Sequence, residues 1–174
     1  MSTPPERKLL PRQVDPRKLV AQGTTLSGDV PTAQMSRLAG AVVAMEEVGH
    51  VELRFERDED GHSAVAGKVA LGVSLECQRC LNPVDIRLAG ESHLGIVWDE
   101  EQAGKLPKRL APWIVDSDAA DLYDMVEDEL LLALPLVAYH DTDECRAKGS
   151  YSTGDVSDSA ENPFGILAQL KTRQ

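Results

Sequence analysis

The chain has 174 residues, of which 42% are apolar and 4% aromatic, so it can bury a core built from aliphatic side chains. Its formal net charge of −11 argues against unspecific adhesion to nucleic acid or to an anionic membrane. The sequence has no run of roughly 18 apolar residues, as a membrane span needs, and no apolar secretory signal. These features predict a cytoplasmic protein whose three cysteines are reduced.

The first part of the chain, residues 1–29, is rich in proline, glycine, threonine and charge, and we expect an extended N-terminal segment. Residues 1–20 carry five cationic and two acidic side chains, which gives this stretch a local charge of +3. Such an asymmetry is typical of a basic arm, but an ordinary solvated tail has the same composition.

A core domain is expected over residues 30–140, beginning with a predicted helix over Val30–Gly49. Apolar residues recur there at spacings of three and four, as on one face of a helix: Met35, Leu38, Val42, Met45 and Val48. Gly49 provides a natural C-terminal stop for this helix.

A series of strands follows. The first strand alternates and places three apolar residues on one face: Val51, Leu53 and Phe55. Residues 58–62 contain an Asp-Gly hairpin signal, and a second alternating run extends over 65–77. A third run over 84–98 is expected to change phase near residues 89–90. The pattern predicts an antiparallel meander of three or four strands with helices on one face.

The clearest predicted helix covers Asp121–Leu134 and is ended by Pro135; a short strand at residues 113–115 precedes it. Its apolar face comprises Leu122, Met125, Val126, Leu130, Ala133 and Leu134. Its carboxylates are expected to form a solvated polar face, rather than a pair for general acid–base catalysis: Asp121, Asp124, Glu127, Asp128 and Glu129.

The C-terminal part has a different composition. Residues 141–161 are rich in serine and carry a net charge of −4, which predicts a flexible acidic loop. Residues 162–174 are expected to form an amphipathic helix with three apolar residues on one side: Phe164, Leu167 and Leu170. The fold class is therefore α+β, with a β meander, two main helices and this short terminal helix.

The spacing of the cysteines suggests a metal site. Cys77 and Cys80 form a CxxC turn between strands, which is half of a tetrahedral zinc site, and His140 with Cys145 supplies a second half. The alternatives are that the cysteines are small buried apolar groups, or that they perform redox chemistry. The redox reading is disfavoured because this CxxC joins two antiparallel strands and does not begin a helix.

Basic residues on the predicted strands and the cysteine turn are candidates for contact with RNA phosphates: Arg54, Lys68, Arg79 and Arg87. The alternative is the ordinary polar face of a one-sided sheet. The sequence shows no nucleophile elbow, P-loop or dinucleotide fingerprint, so we predict neither an enzyme nor a small-molecule substrate. A nuclease would require a divalent-metal cluster built on carboxylates such as Asp124 or Asp128.

Three stretches in this order resemble the bacterial family of large ribosomal RNA subunit accumulation proteins (YceD-like), a domain of unknown function: Leu75–Leu81, Asp121–Cys145 and Asn162–Lys171. The resemblance implies a non-enzymatic factor in the accumulation or processing of 23S ribosomal RNA. Its partner would be that RNA or a ribosome-assembly protein. The resemblance also implies that Cys77, Cys80, His140 and Cys145 are the positions to test as zinc ligands, with Asp141 or Asp143 as a substitute for His140. The competing interpretation is an adaptor that docks partners through Phe164–Leu170.

Overall fold

The computed structural model describes residues 8–141 and Cys145 of the protein. The predicted acidic loop, apart from its first residue and Cys145, and the predicted helix with Phe164, Leu167 and Leu170 lie outside the described residues. The elements are β1 Gln13–Val14, α1 Pro16–Gln22, β2 Thr25–Pro31, α2 Ser36–Ala41, β3 Ala44–Met45, β4 Val48–Arg57, β5 Ser63–Glu76, β6 Pro83–Val97, α3 Glu100–Ala103, β7 Ala111–Ile114, β8 Ala120–Asp121 and α4 Leu122–Leu132. The predicted α+β class is confirmed.

The main sheet has the strand order β2-β4-β5-β6-β7, and β3 pairs with β5 beside β4. The predicted meander is β4-β5-β6, closed at its first turn by the hairpin at residues 58–62, while β7 joins β6 in parallel. β5 and β6 keep one register from Ala64 opposite Gly95 to Glu76 opposite Pro83. The predicted phase change near residues 89–90 is therefore wrong, because the apolar positions on both sides of it already share one parity.

The core lies between one face of this sheet and the helices α1 and α4. Val51, Leu53 and Phe55 are buried on the inner face of β4, as the alternation predicts. The predicted helix Asp121–Leu134 is confirmed in its central part, with Asp121 as the N-cap. The Asp121 carboxylate accepts hydrogen bonds from the backbone N–H groups of Tyr123 and Asp124, at 3.0 and 3.2 Å. None of the helices in the described part of the chain has the length and apolarity needed to cross a membrane.

The predicted helix over Val30–Gly49 is wrong. Only Ser36–Ala41 is α-helical. Of the predicted apolar stripe, its N-cap residue Met35 and Leu38 within it are fully buried. Val42 is already extended, with φ −123° and ψ 159°, and Gly49 is a paired residue of β4 opposite Val30. The helical spacing was misleading because the segment that follows contains β-branched residues, which are more stable in strands paired with β5 and β2 than in a longer helix.

The N-terminal residues also differ from the expectation of an extended segment. Residues 8–29 contain α1 and most of β2, and β2 continues across the expected boundary at residue 30. Leu10 and Val20 are buried in the core. Lys8 lies so close to β2 that a Cβ atom on Gly28 would come within 2.2 Å of the Lys8 carbonyl oxygen. The expected division into four parts as a whole stays a prediction.

Glu127 on α4 is buried, which corrects the prediction of a fully solvated acidic face. Its Oε1 accepts hydrogen bonds from the backbone N–H groups of Arg37 and Leu38, at 2.7 and 2.9 Å. Its Oε2 accepts from Arg37 Nε at 3.0 Å. These N–H groups belong to the first turn of α2, whose own N-cap residue, Met35, makes no side-chain capping bond. A carboxylate from α4 therefore caps α2 across the tertiary interface.

The turn between β5 and β6 contains Leu81, the one non-glycine residue with a positive φ, +59°, within the described ranges. Its side chain is 68% exposed, so little packing energy offsets the strain. An L-residue in this left-handed region costs about 1–2 kcal/mol relative to the right-handed one.

We predict that Glu127→Gln lowers the free energy of unfolding by about 2 kcal/mol. The glutamine NH₂ group and Arg37 Nε–H are both hydrogen-bond donors, so the bond between them would be lost, together with the charge of the carboxylate. Urea denaturation measures the change. Asp128→Asn is the matched control: Asp128 also pairs with Arg37, but its side chain is 58% exposed, so a loss of less than about 1 kcal/mol is expected. Equal losses in the two variants would contradict a capping role of the buried carboxylate.

We also predict that Leu81→Asn raises the free energy of unfolding by about 0.5–1 kcal/mol, since asparagine tolerates the left-handed conformation. Leu136→Asn provides the control, because Leu136 is 99% exposed and its φ is not positive. The prediction fails if thermal or urea denaturation shows no difference between the two variants.

Candidate metal centre

The fold brings together the four residues proposed as metal ligands. Cys77 and Cys80 lie in the turn between β5 and β6, His140 follows α4, and Cys145 completes the group. All four ligand atoms lie within 4.8 Å of one another. Cys77 Sγ is 3.2 Å from Cys145 Sγ, and Cys80 Sγ is 3.5 Å from His140 Nδ1. The two half-sites thus form one Cys₃His cluster despite their separation along the chain.

Backbone hydrogen bonds and apolar packing hold the two halves against each other. The Gln78 N–H donates to the Ala138 carbonyl oxygen at 3.0 Å, which ties the cysteine turn to the segment after α4. Ala138 and Val84 pack with Cys77 and Cys145 in a small buried cluster of their own, distinct from the main core. Cys77 is fully buried and Cys145 is 3% exposed, so this cluster is sheltered from water.

The turn itself favours a thiolate at Cys77. Burial opposes charge there, but hydrogen bonds from the backbone N–H groups of Arg79 and Cys80 and from Cys145 lower the pKa of Cys77 to about 5. Burial, together with the neighbouring Cys77 and Cys80 sulfurs, raises the pKa of Cys145 to about 11. The opposite directions of these two pKa shifts favour the thiolate at Cys77 over that at Cys145.

His140 is oriented by its second ring nitrogen. Its Nε2 lies 3.0 Å from the Pro83 carbonyl oxygen, and because a carbonyl can only accept, Nε2 must carry the proton. This leaves Nδ1 as the atom directed at the sulfurs. A backbone carbonyl on the distal nitrogen is the usual partner of a metal-bound histidine. A hydrogen bond with Cys77, and the contact with Pro83, raise the pKa of His140 against the effect of burial.

The donor set and its spacing fit a tetrahedral zinc ion. Zinc–sulfur bonds of about 2.3 Å and zinc–nitrogen bonds of about 2.0–2.1 Å imply S···S distances of about 3.8 Å and S···N distances of about 3.6 Å. The 3.5 Å between Cys80 Sγ and His140 Nδ1 matches the second value, whereas the 3.2 Å between the Cys77 and Cys145 sulfurs is shorter than the first, so these two sulfurs would move apart to bind the ion. Asp141 is exposed beside His140, and Asp143 lies outside the described residues.

A second group of possible ligands, Asp58, Asp60 and His62 in the hairpin turn, has a different character. Arg109 donates from Nη2 to both carboxylates, at 2.7 and 2.6 Å. Its guanidinium therefore already supplies the positive charge that these carboxylates need.

The basic residues proposed for RNA contact do not form one continuous patch. Arg54 and Lys68 border the same depression on the outer face of the sheet, and each pairs with a glutamate, Glu56 and Glu91 respectively, at 3.0 Å. Arg87 borders a separate depression near β3. Arg79 lies over the Tyr139 ring, 5.3 Å from its centroid. A role of these residues in binding stays a prediction.

Two residues that sequence reasoning missed support the cluster through their backbones. Pro83 holds His140, and Ala138 holds Gln78, in each case through a carbonyl oxygen. A carbonyl partner leaves no trace in the side-chain pattern, so only the fold could reveal it.

Comparisons with known proteins confirm the family resemblance. The family model described as large ribosomal RNA subunit accumulation protein YceD matches residues 65–171, which is more than half of the chain. The chain is 35% identical to a protein of that name from Haemophilus influenzae over 169 residues, covering 94% of this chain and 97% of the relative. No solved structure matches the chain. The protein belongs to the YceD family of large ribosomal RNA subunit accumulation proteins.

Proposed function

We propose that this protein supports the accumulation of 23S ribosomal RNA in the cytoplasm as a non-catalytic binding factor. The observation that carries the proposal is the 35% identity, across nearly its whole length, to a relative named for large ribosomal RNA subunit accumulation. The site geometry is consistent with a structural role, since four protein ligands around one ion leave no open position for a reacting water molecule.

We propose further that the Cys₃His cluster binds a structural zinc ion. Only four buried residues pack around this end of the described fold, and they are separate from the main core. Such a small cluster contributes little stability, whereas structural zinc contributes on the order of 10 kcal/mol in small domains. The ion would join the turn after β5 to the segment after α4 and so fix the end of the sheet.

The proposed binding role favours a protein, or a protein within an RNA particle, over naked RNA. The net charge of −11 repels a phosphate backbone. Two of the four candidate cations, Arg54 and Lys68, are already paired with carboxylates. Arg79 and Arg87 make no salt bridge with any described residue, so a limited contact with RNA near the cysteine turn stays compatible with this proposal.

Elemental mass spectrometry of the purified chain should find about one zinc per molecule. In Cys80→Ser the zinc should be lost, and the melting temperature should fall by roughly 10 °C, since several kcal/mol of stability are removed. Asp141→Asn is the matched control and should keep its zinc, because His140 and not Asp141 faces the sulfurs. If the wild type contains no zinc and has the same melting temperature as Cys80→Ser, the proposal is wrong and the cysteines are only buried apolar residues.

Deletion of the gene should lower the ratio of 23S to 16S ribosomal RNA in total RNA. In the deletion strain, expression of the wild type or of Asp141→Asn should restore the ratio, whereas expression of Cys80→Ser should not. Immunoblots must show that the three proteins are present in equal amounts. An unchanged ratio in the deletion strain would rule the proposal out. RNA cleavage by the purified chain that disappears in Asp124→Asn would instead identify a nuclease.

A further inference from the structure

A groove runs along the side of α4 that faces β7. Two cavities, of about 550 and about 370 Å³, adjoin each other and share four lining residues: Pro112, Trp113, Met125 and Asp128. We call the two adjoining cavities together the α4–β7 groove. Its apolar surface includes Trp113 and Met125, and it is bordered by Ile114, 44% exposed, and by Leu132, 79% exposed. Exposed apolar side chains along a groove are typical of a binding surface for another chain.

The border of the α4–β7 groove is acidic: Asp116, Asp121, Asp124, Asp128 and Glu129 line it. Asp121 pairs with Arg12 and Asp128 pairs with Arg37, so part of this charge is compensated. Asp116, Asp124 and Glu129 make no salt bridge with any other described residue. The sequence from Leu110 to Asp141 has eight carboxylates and no lysine or arginine, so the groove keeps a negative potential.

These two properties select the kind of occupant. An apolar floor with an acidic border complements a segment that has apolar residues on one side and lysine or arginine on the other. RNA does not fit, because its phosphates would meet the carboxylates. The protein's own terminal residues 162–174 carry only two cations, Lys171 and Arg173, and are a poorer complement to so acidic a border.

We propose that the α4–β7 groove binds a basic amphipathic segment of a large-subunit ribosomal protein. This inference rests on the proposed role in accumulation of large-subunit ribosomal RNA. Proteins that coat ribosomal RNA must carry lysine and arginine to neutralise its phosphates. The carboxylates of the groove can pair with the same cations. The apolar floor can also contact the apolar side of the segment, which the RNA phosphates cannot do. The protein would thereby hold such a segment before the RNA takes it over.

A photo-crosslinking amino acid in place of Leu132 tests the proposal in the full-length chain. The probe is the mixture of proteins stripped from purified large ribosomal subunits, and mass spectrometry locates the crosslinked peptide. We expect crosslinks to a lysine- and arginine-rich segment of an identified ribosomal protein. Asp116→Lys combined with Asp124→Lys should lower the yield roughly tenfold, because the long-range attraction is reversed. A crosslinker in place of Val43, which is 59% exposed before β3, gives the background yield.

Glu47→Lys combined with Glu52→Lys is the matched charge control, since both glutamates are exposed and neither lines the groove, and it should leave the yield unchanged. Crosslinks to residues 162–174, to a second copy of the chain or to added ribosomal RNA would overturn the proposal. A yield no higher than that from position 43 would overturn it as well. The deletion strain separates the two proposals: if 23S RNA falls without the protein but no crosslink forms, the groove inference alone fails.

Discussion

The long β5–β6 hairpin is the feature on which the remaining described structure depends. Its pairing is unbroken from Ala64 to Glu76, and the alternation of apolar residues fixes the register, since a slip by one residue would turn the buried face outwards. One end of this hairpin carries the cysteine turn. Its inner face receives α4, and the outer edge of β6 carries β7. The Cys₃His cluster and the α4–β7 groove are therefore both positioned by the same pair of strands.

The two ends of the molecule are stabilised in different ways. Around α4, a large core of aliphatic side chains joins the sheet to the helices, and burial of such residues is the main source of folding energy. At the cysteine turn, the residues of the described ranges that are buried together are Cys77, Val84, Ala138 and Cys145. There the hydrogen bonds of the turn hold the two halves together, and the zinc ion proposed above would add four bonds to sulfur and nitrogen. Metal binding and order at this end are thus expected to be coupled.

Strand alternation and residue spacing predicted the meander, the hairpin at residues 58–62, α4 and the approach of Cys77 and Cys80 to His140 and Cys145. These predictions are correct because each depends on side chains that recur at the period of their helix or strand, or on residue types that commonly bind zinc. The helix expected over Val30–Gly49 failed because the partners of that segment, in β5 and β2, are distant in sequence. The burial of Glu127 could not be predicted either, since the backbone N–H groups that it caps belong to α2, about 90 residues earlier in the sequence.

That distance has a consequence for the order of folding. α2 has six residues, too few for a helix to persist alone in water, and its first turn is capped only by a side chain from α4. Loop closure over 90 residues must precede this cap, so α2 can become stable only after α4 has docked on the sheet. We therefore expect α2 to form late in the folding reaction, and a fluctuation that lifts α4 from the sheet to release α2 with it.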